Sequence, residues 1–492
     1  MAALPAFTTS KTTTANHVLR GLHQVLTCEK ERHKDQMGCT LFGTNEVFAP
    51  LQTLKLELLD KYGCLPRLFF VKMDIKSAFD TIKQDKILEI VEDMLDKDND
   101  YCIMMYSLLL PLASKASQAS SRRLWKYQAM PDDGQSTAFT QHASLFAKPL
   151  RNAVLVDLMR RRHVTKEDCM ELLRIHIQNN VWEVEGKLFR QKTGIPQGSK
   201  ISSLLCSFFY AVLEREHLGF ATTTCSRLLR YIDDFLFITD DLALARRFVQ
   251  RMQVGFPAFG AFISPGKTLL SFEYASGSQV APICVGSDGK SYFPYCGFLI
   301  DTITLDISMD YLRVMDTHVK QSFALRSHRR KPSAFVGWFS RQLENRNHVA
   351  YLDSQHNDAH TVRLNVFLNF ALTCMKMPHY FAVKSGKKLS ASQVKAITES
   401  LCAAAEYTYM AGRARVQFAS RADPTTQHYA IKKQEFMQYV FPLCGRVGLI
   451  GQYRSDGDGQ GALEEGFAVQ VGGSCSVEAH DGGSEDWAEN GG

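Results

Sequence analysis

The stretch Leu228–Thr239, LLRYIDDFLFIT, sets two adjacent carboxylates, Asp233 and Asp234, in the middle of an apolar run that otherwise suits a β-strand. Burying one ionised carboxylate without a partner is costly, because the interior does not replace its hydration, and two side by side also repel each other. No Lys or Arg lies between Tyr231 and Thr239, so a bound cation is the economical source of positive charge. The run is expected to divide into strand 228–232, a tip at Asp233 and Asp234, and strand 235–239. Asp-Asp is a poor choice for a tight hairpin, where Asn-Gly or Asp-Gly supplies positive φ cheaply. Locally unfavourable choices of this kind are what functional sites carry. For the pair taken alone, two solvated turn aspartates fit equally well, since Asp is an ordinary turn residue.

Working outward, RLFFVKMDI, rich in Phe and Val, predicts a buried strand that ends at Asp74. The following SAFDTIKQDKILEIVEDMLDK has Ile87, Leu88, Val91 and Leu95 at helical spacing, with Ser77 and Asp80 resembling a capping box. GKLFRQKTGIPQGSKISSLLCSFFYAVLEREHL predicts a strand, a Gly/Pro turn and a long apolar helix. Beyond the double aspartate, ALARRFVQRMQVGF predicts a helix, and AFISPGKTLLSF and YFPYCGFLIDTITLDI predict strands with turns between them. Helices are expected in NHVLRGLHQVLTCEKER and EVFAPLQTLKLELLDKY, and residues 97–180 are expected to be mostly helical, with a loose polar segment at MPDDGQSTAFTQ.

From residue 311 apolar residues recur at helical spacing, as in RLNVFLNFALTCMKM, which marks a separate helical domain to about residue 448. The last stretch, 449–492, is Gly-rich and acidic and is expected to be disordered, as are the Thr-rich residues 1–15. The chain has 492 residues, too many for one ordinary core. Its net charge is +6, but from Gly451 onward nine acids face Arg454 alone, a balance of −8 that leaves +14 on the first 450 residues. So basic a body is attracted to polyanions, most simply nucleic acid, although a solvated surface excess explains it as well. The thirteen Cys form no CxxC pair and no zinc-ligand pattern, which argues against a disulfide framework and a structural zinc site. No signal-peptide pattern opens the chain and no apolar run reaches membrane-spanning length, so a soluble protein that is not secreted and has no membrane partner is expected.

Asp74 at the end of one strand and Asp233 and Asp234 on a hairpin beside it are expected to converge. Hard divalent cations take oxygen ligands, and Mg²⁺ binds through a few carboxylates together with substrate phosphates. Two such ions about 3.5–4 Å apart serve in-line phosphoryl displacement. Nucleotidyl transfer is the reaction class this chemistry implies.

FFVKMDIKSAFDTI, KTGIPQGSKISSLLCSFFY, LLRYIDDFLFIT, SPGKT and YCGFLIDT occur in the order of the reverse transcriptase palm motifs, and in detail they resemble those of the telomerase reverse transcriptase family. NHVAYLDSQHNDAHTVRLNVFLNF is similar to that family's C-terminal thumb extension. The resemblance implies an α+β right-hand polymerase palm, an antiparallel sheet with helices, together with partial fingers and an all-α thumb. In residue numbers this gives partial fingers at 16–67, the palm at 68–310 with an insertion in the fingers at about 97–180, and the thumb extension at 311–448.

The resemblance further implies that Asp74, Asp233 and Asp234 bind two Mg²⁺ ions. Phe79 then packs beneath the sugar of the incoming nucleotide, although a plain core Phe fits its periodicity. Gln197 and Gly198 line nucleotide and template, the glycine permitting close backbone approach. Lys267 acts near the pyrophosphate leaving group as acid or electrostatic stabiliser. Cys296, Gly297 and Phe298 form the primer grip, and Lys320, Arg326, Arg329, Arg330 and Lys331 meet the nucleic-acid backbone.

The activity implied is RNA-directed DNA polymerisation that adds telomeric repeats to chromosome 3′ ends. Its partners would be a telomerase template RNA, a single-stranded telomeric DNA primer and deoxynucleoside triphosphates, in the nucleus at the chromosome telomere. The 123 residues from Asp74 to Gln197 exceed the spacing in viral or intron-encoded relatives and favour the telomerase type over a retroelement or intron reverse transcriptase. Only 73 residues precede Asp74. The family's RNA-binding domain and two basic fingers motifs are therefore expected to be missing, which keeps a truncated, non-catalytic binding product as the remaining alternative.

Overall fold

The computed structural model describes residues 14–96, 98–111, 121–132, 154–274, 284–285, 290–311, 348–385 and 431–434, with single residues or pairs elsewhere up to 437. The chain divides into two compact units, one of residues 1–47 and 69–280, the other of 48–68 and 281–492. The boundary at residue 280 falls inside the segment 68–310 expected to be palm. No helix among the described residues is long and apolar enough to cross a membrane.

The first unit is built on a five-stranded sheet of order β1-β8-β9-β2-β10, with β1 Thr40–Leu41, β2 Phe69–Asp74, β8 Ser226–Tyr231, β9 Asp234–Thr239 and β10 Leu269–Leu270. β2 pairs antiparallel with β9, and their partners run from Phe69↔Thr239 to Asp74↔Asp234. β8 and β9 form a hairpin closed by Tyr231↔Asp234, so its two-residue loop is Ile232 and Asp233. The expected tip is thus shifted by one residue, and Asp234 opens the second strand.

Phe70, Val71, Met73, Phe235, Leu236, Phe237 and Ile238 are buried in this sheet. Such continuous apolar runs belong to strands covered on both faces. Helix Leu242–Val254 packs across β2 and β9, with Phe248 4.7 Å from Phe237, ring centre to ring centre. Asp241 caps this helix by accepting hydrogen bonds from the N–H groups of Ala243 and Leu244. The apolar helix Ser202–His217 follows the Gly/Pro turn as expected and is buried along most of its length.

Residues 97–180 depart from the helical expectation. Those that are described form a three-stranded antiparallel sheet of order β4-β3-β5, with β3 Asp100–Pro111, β4 Ser121–Asp132 and β5 Val154–Val164, followed by helix Lys166–Gln178, opened by a Thr165/Asp168 capping box. Tyr101, Cys102, Ile103 and Met104 are consecutive and all buried on the central strand. A strand covered on both faces has no alternation for a period to detect, and its apolar run fits a buried helix equally well. Of the polar segment MPDDGQSTAFTQ, Met130–Asp132 end β4, and the remainder lies outside the described residues. A short hairpin, β6 Val181–Val184 and β7 Lys187–Arg190, leads into the turn.

The capping box expected at Ser77 is also absent. Ser77 has φ 51° and makes no side-chain cap bond, and the helix is split into Ala78–Thr81 and Gln84–Met94. The would-be cap partner Asp80 instead accepts from Gln197 Nε2 at 3.1 Å. The carbonyls of Phe79 and Ile82 are taken by the N–H groups of Ile195 and Gly194. The incoming turn thus uses groups that a continuous helix would have needed.

The second unit contains helix Phe48–Tyr62, a four-stranded sheet of order β11-β12-β13-β14 (Cys284–Val285, Ser291–Tyr295, Phe298–Asp301, Ile307–Met309), and helices Val349–Leu352 and Ala359–Ser385. The strands match the expectation for YFPYCGFLIDTITLDI. Asn357 and Asn365 accept from the N–H groups of Ile307 and Met309 at 2.7 and 3.0 Å and fasten the sheet to the helices. The described elements beyond 311 are helical, as the composition shift predicts.

Candidate active site

The last rung of the β2–β9 ladder pairs Asp74 with Asp234, and the loop residue Asp233 adjoins it: its carbonyl accepts from Ile75 N–H at 3.2 Å. All three aspartates singled out in the sequence therefore gather at one end of the central strands. Asp74 is 7% exposed. Burial, then the neighbouring Asp74, and further Asp234, push the Asp233 carboxyl up to about 6. Lys267 acts weakly in the opposite sense.

The positive charge that the hairpin itself lacks comes from a distant segment. Ser264 N–H donates to the Asp74 carbonyl at 2.8 Å, the chain turns through Pro265 and Gly266, and Lys267 Nζ reaches Asp74 Oδ2 at 2.8 Å. Its hydrogen bond and ion pair with Asp74 raise the Lys267 pKa.

Ile232, a β-branched residue, sits at φ 59°, a conformation that costs roughly 1–3 kcal/mol and persists only when its surroundings enforce it. The enforcing group is Arg230, a fully buried side chain that was not singled out in the sequence. Its Nη1 donates to the Ile232 carbonyl at 2.9 Å, its Nε to Glu214 Oε1, and its Nη2 to Thr40 Oγ1 and to the Ser207 carbonyl at 3.2 Å. Glu214 Oε2 in turn accepts from Cys39 N–H at 3.0 Å. Burial opposes the charge on Arg230, and Glu214 more than offsets it, so the guanidinium is held protonated. The signal available in the sequence was an arginine beside the double aspartate in the apolar run LLRYIDD and a glutamate closing the apolar face of SLLCSFFYAVLE, a buried pair in waiting.

The turn 194–200 brings further predicted residues to the same unit. Gln197 hydrogen-bonds Asp80, next to the partly buried Phe79, which packs on the core. The close approach within the chain falls on Gly194, not Gly198. Gly194 has φ 79°, and a Cβ there would lie 2.5 Å from the Phe79 carbonyl oxygen and 2.6 Å from Asp80 Cα. Gly198 also has φ 79°, but a Cβ added there meets no protein atom within 4 Å. Cys296 and Gly297, φ 49° and 85°, form the two-residue loop of the β12–β13 hairpin, and the buried Phe298 packs on Tyr351 at 5.4 Å; all three belong to the second unit. Lys320, Arg326, Arg329, Arg330 and Lys331 lie outside the described residues.

The reverse transcriptase (RNA-dependent DNA polymerase) family matches residues 156–300. The telomerase reverse transcriptase of Rattus norvegicus is 30% identical over 363 residues, covering 72% of this chain and 31% of the relative. That of Arabidopsis thaliana is 27% identical over 395 residues, covering 74% and 33%. The chain belongs to the telomerase reverse transcriptase family. A solved structure of telomerase from Candida albicans, in complex with a fragment of telomeric RNA, shares the fold of this family member, with a TM-score of 0.56 at 16% identity over 90% of this chain and 58% of that one. This member spans about a third of the length of the curated telomerase reverse transcriptases it matches.

Reverse transcriptases depend on divalent metal in general. The donor chemistry here fits such an ion: three carboxylates offer hard oxygen ligands, and Asp233 is raised by burial and then by the like charges of Asp74 and Asp234. Among the described residues no three His, Cys, Asp or Glu side chains already close around an ion-sized space. One Asp74 oxygen is engaged by Lys267.

Proposed function

We propose that this chain carries the catalytic centre of an RNA-directed DNA polymerase that adds telomeric repeats to chromosome 3′ ends by two-metal nucleotidyl transfer. The observation that carries the reading is the Asp74↔Asp234 rung with Asp233 on the adjoining turn. In it, Asp74, Asp233 and Asp234 hold two Mg²⁺ ions. Bound Mg²⁺ supplies activation of the primer hydroxyl and neutralisation of phosphate charge. Lys267, held beside these carboxylates by Asp74, offers a cationic donor to the departing pyrophosphate. Phe79 packs under the sugar of the incoming nucleotide, and Gln197, oriented by Asp80, faces nucleotide and template. Cys296, Gly297 and Phe298 guide the primer, and the 320–331 basic stretch contacts its backbone.

The partners in this reading are a telomerase template RNA, a telomeric DNA primer and deoxynucleoside triphosphates, and the place of action is the nucleus, at telomeres. Family membership and the telomerase structure solved with telomeric RNA support the RNA partner. The testing experiment is primer extension by the purified chain on an RNA template with Mg²⁺, beside the same chain joined to upstream sequence of a relative. Template-directed extension by either that is lost in Asp234→Ala is expected. Extension by neither would reject the catalytic reading in favour of a binding product.

A further inference from the structure

Helix Arg20–Arg32 lies against the β4-β3-β5 sheet, and between them opens a cleft of about 300 Å³ that continues into a second of about 690 Å³. Among the described residues six cations line the two: Arg20, Lys126, Arg160, Arg161, Arg162 and Lys200. Among the described residues no carboxylate lines either. Among the described residues, Arg161 alone of the six has a carboxylate partner, Asp157 at 3.6 Å.

Strand register places two of them, Arg160 and Arg162, on one face of the sheet. Arg160, Met105 and Tyr127 sit side by side across the sheet, as do Arg162, Ile103 and Ala129, and Trp125 lies opposite Ser107 two positions along the same face. Arg20 places its guanidinium 5.3 Å from the Tyr127 ring centre and donates to the Tyr127 hydroxyl at 3.3 Å. Trp125 is 53% exposed beside Arg123, 5.7 Å from its ring centre. A solvated charged face does not require an exposed indole, whereas a groove of cations with an open aromatic is what phosphates and unstacked bases together recognise.

The cleft also adjoins the turn of the candidate active site. Lys200 N–H donates to Asn16 Oδ1 at 2.7 Å, and Asn16 Nδ2 donates to the Gly198 carbonyl at 3.3 Å.

We propose that this face binds a single strand of nucleic acid, its phosphates on the arginines and lysines and its bases against Trp125 and Tyr127. The identity of the occupant rests on the polymerase reading, but the cleft and its charge do not. Either strand of a template–primer pair, RNA or DNA, has this chemistry.

The test is fluorescence anisotropy of a labelled 12-nucleotide RNA, and of the DNA of the same sequence, with the full chain and no metal or nucleotide. Arg160→Glu/Arg162→Glu is expected to weaken binding at least tenfold and to flatten the salt dependence by about 1.4 in slope, two phosphate contacts at about 0.7 each. Trp125→Ala is expected to weaken it about fivefold or more with the slope unchanged. Arg246→Glu, an exposed arginine on helix Leu242–Val254, is the control and should change binding less than twofold. Should the double variant melt early, Lys126→Ala/Lys200→Ala reads the same surface.

Tighter binding of RNA than DNA, or the reverse, assigns the strand and supports the proposal either way. Equal displacement of the RNA by polyglutamate and by unlabelled RNA, with Trp125→Ala neutral, would overturn it in favour of an acidic peptide. Asp233→Asn should bind as wild type, so loss of extension in that variant with binding intact separates the two readings.

Discussion

Asp74 and Asp234 are partners on the final rung between β2 and β9, and Asp233 follows the left-handed Ile232 in the loop that joins β8 to β9. A strand end and a strained hairpin thus bring like charges together at a place where stability alone would avoid them.

Asp233→Asn is expected to stabilise the fold at neutral pH while abolishing nucleotide addition. The folded-state pKa is raised from 3.8 to about 6, so the folded chain holds the proton more tightly than the unfolded one. The resulting stability is present below about pH 3.8 and is lost as pH rises through about 6. At pH 7 the charge therefore costs the fold, on the order of 1–2 kcal/mol after allowance for solvent screening. Urea unfolding at pH 7 and pH 3.5 checks this. A variant less stable than wild type at pH 7 would refute it.

Arg230→Ala should cost about 3–5 kcal/mol, since it leaves Glu214 buried without its partner. Arg230→Lys keeps a charge but not the fork that also grips the Ile232 carbonyl, so it should recover part of the stability and little of the activity. Thermal unfolding beside single-nucleotide addition separates the two effects. Equal recovery of both would mean that Arg230 does not act through the turn.

The two glycines of the GIPQGS turn should respond unequally. Gly198→Ala meets open space and bears only the positive-φ cost, roughly 1–2 kcal/mol. Gly194→Ala adds a collision with the Phe79 carbonyl and should cost clearly more. Denaturation midpoints that rank the other way would reject the packing described for this turn.

In the second unit, His356 is buried with Nε2 2.8 Å from the Leu305 carbonyl, and burial, then Lys55, lower its pKa from 6.5 to about 4. A depressed histidine favours the neutral form in the folded chain. Its contribution is complete above pH 6.5 and falls as pH drops toward 4, by up to about 3 kcal/mol. Stability measured across pH 7 to 4 should fall more steeply in wild type than in His356→Gln, the difference between the two profiles being the histidine's share.

What the sequence made legible was local. The double aspartate interrupting an apolar run, the strand ending at Asp74, and the helix after GIPQGS each carry their signal within a dozen residues. Lys267 is 193 residues from the carboxylate it pairs with, and the Glu214–Arg230 pair joins a helix to a strand, so neither pairing follows from the period of its own element. The sheet in 97–180 escaped for a different reason. Tyr101–Met104 are buried on both faces, and a period cannot be read from a run with no polar side. That error also hid the arginines of LMRRRHV, which as a presumed helix would have been spread around an axis instead of aligned along one strand.

The most direct test of the central claim is a Mn²⁺ titration followed by electron paramagnetic resonance on the full chain at pH 7.5. Saturable binding is predicted for wild type, weakened at least tenfold in Asp74→Ala, Asp233→Ala and Asp234→Ala alike. Lys267→Ala should bind more tightly, because it releases the Asp74 oxygen that the lysine holds. Identical titrations for wild type and all three aspartate variants would contradict the account.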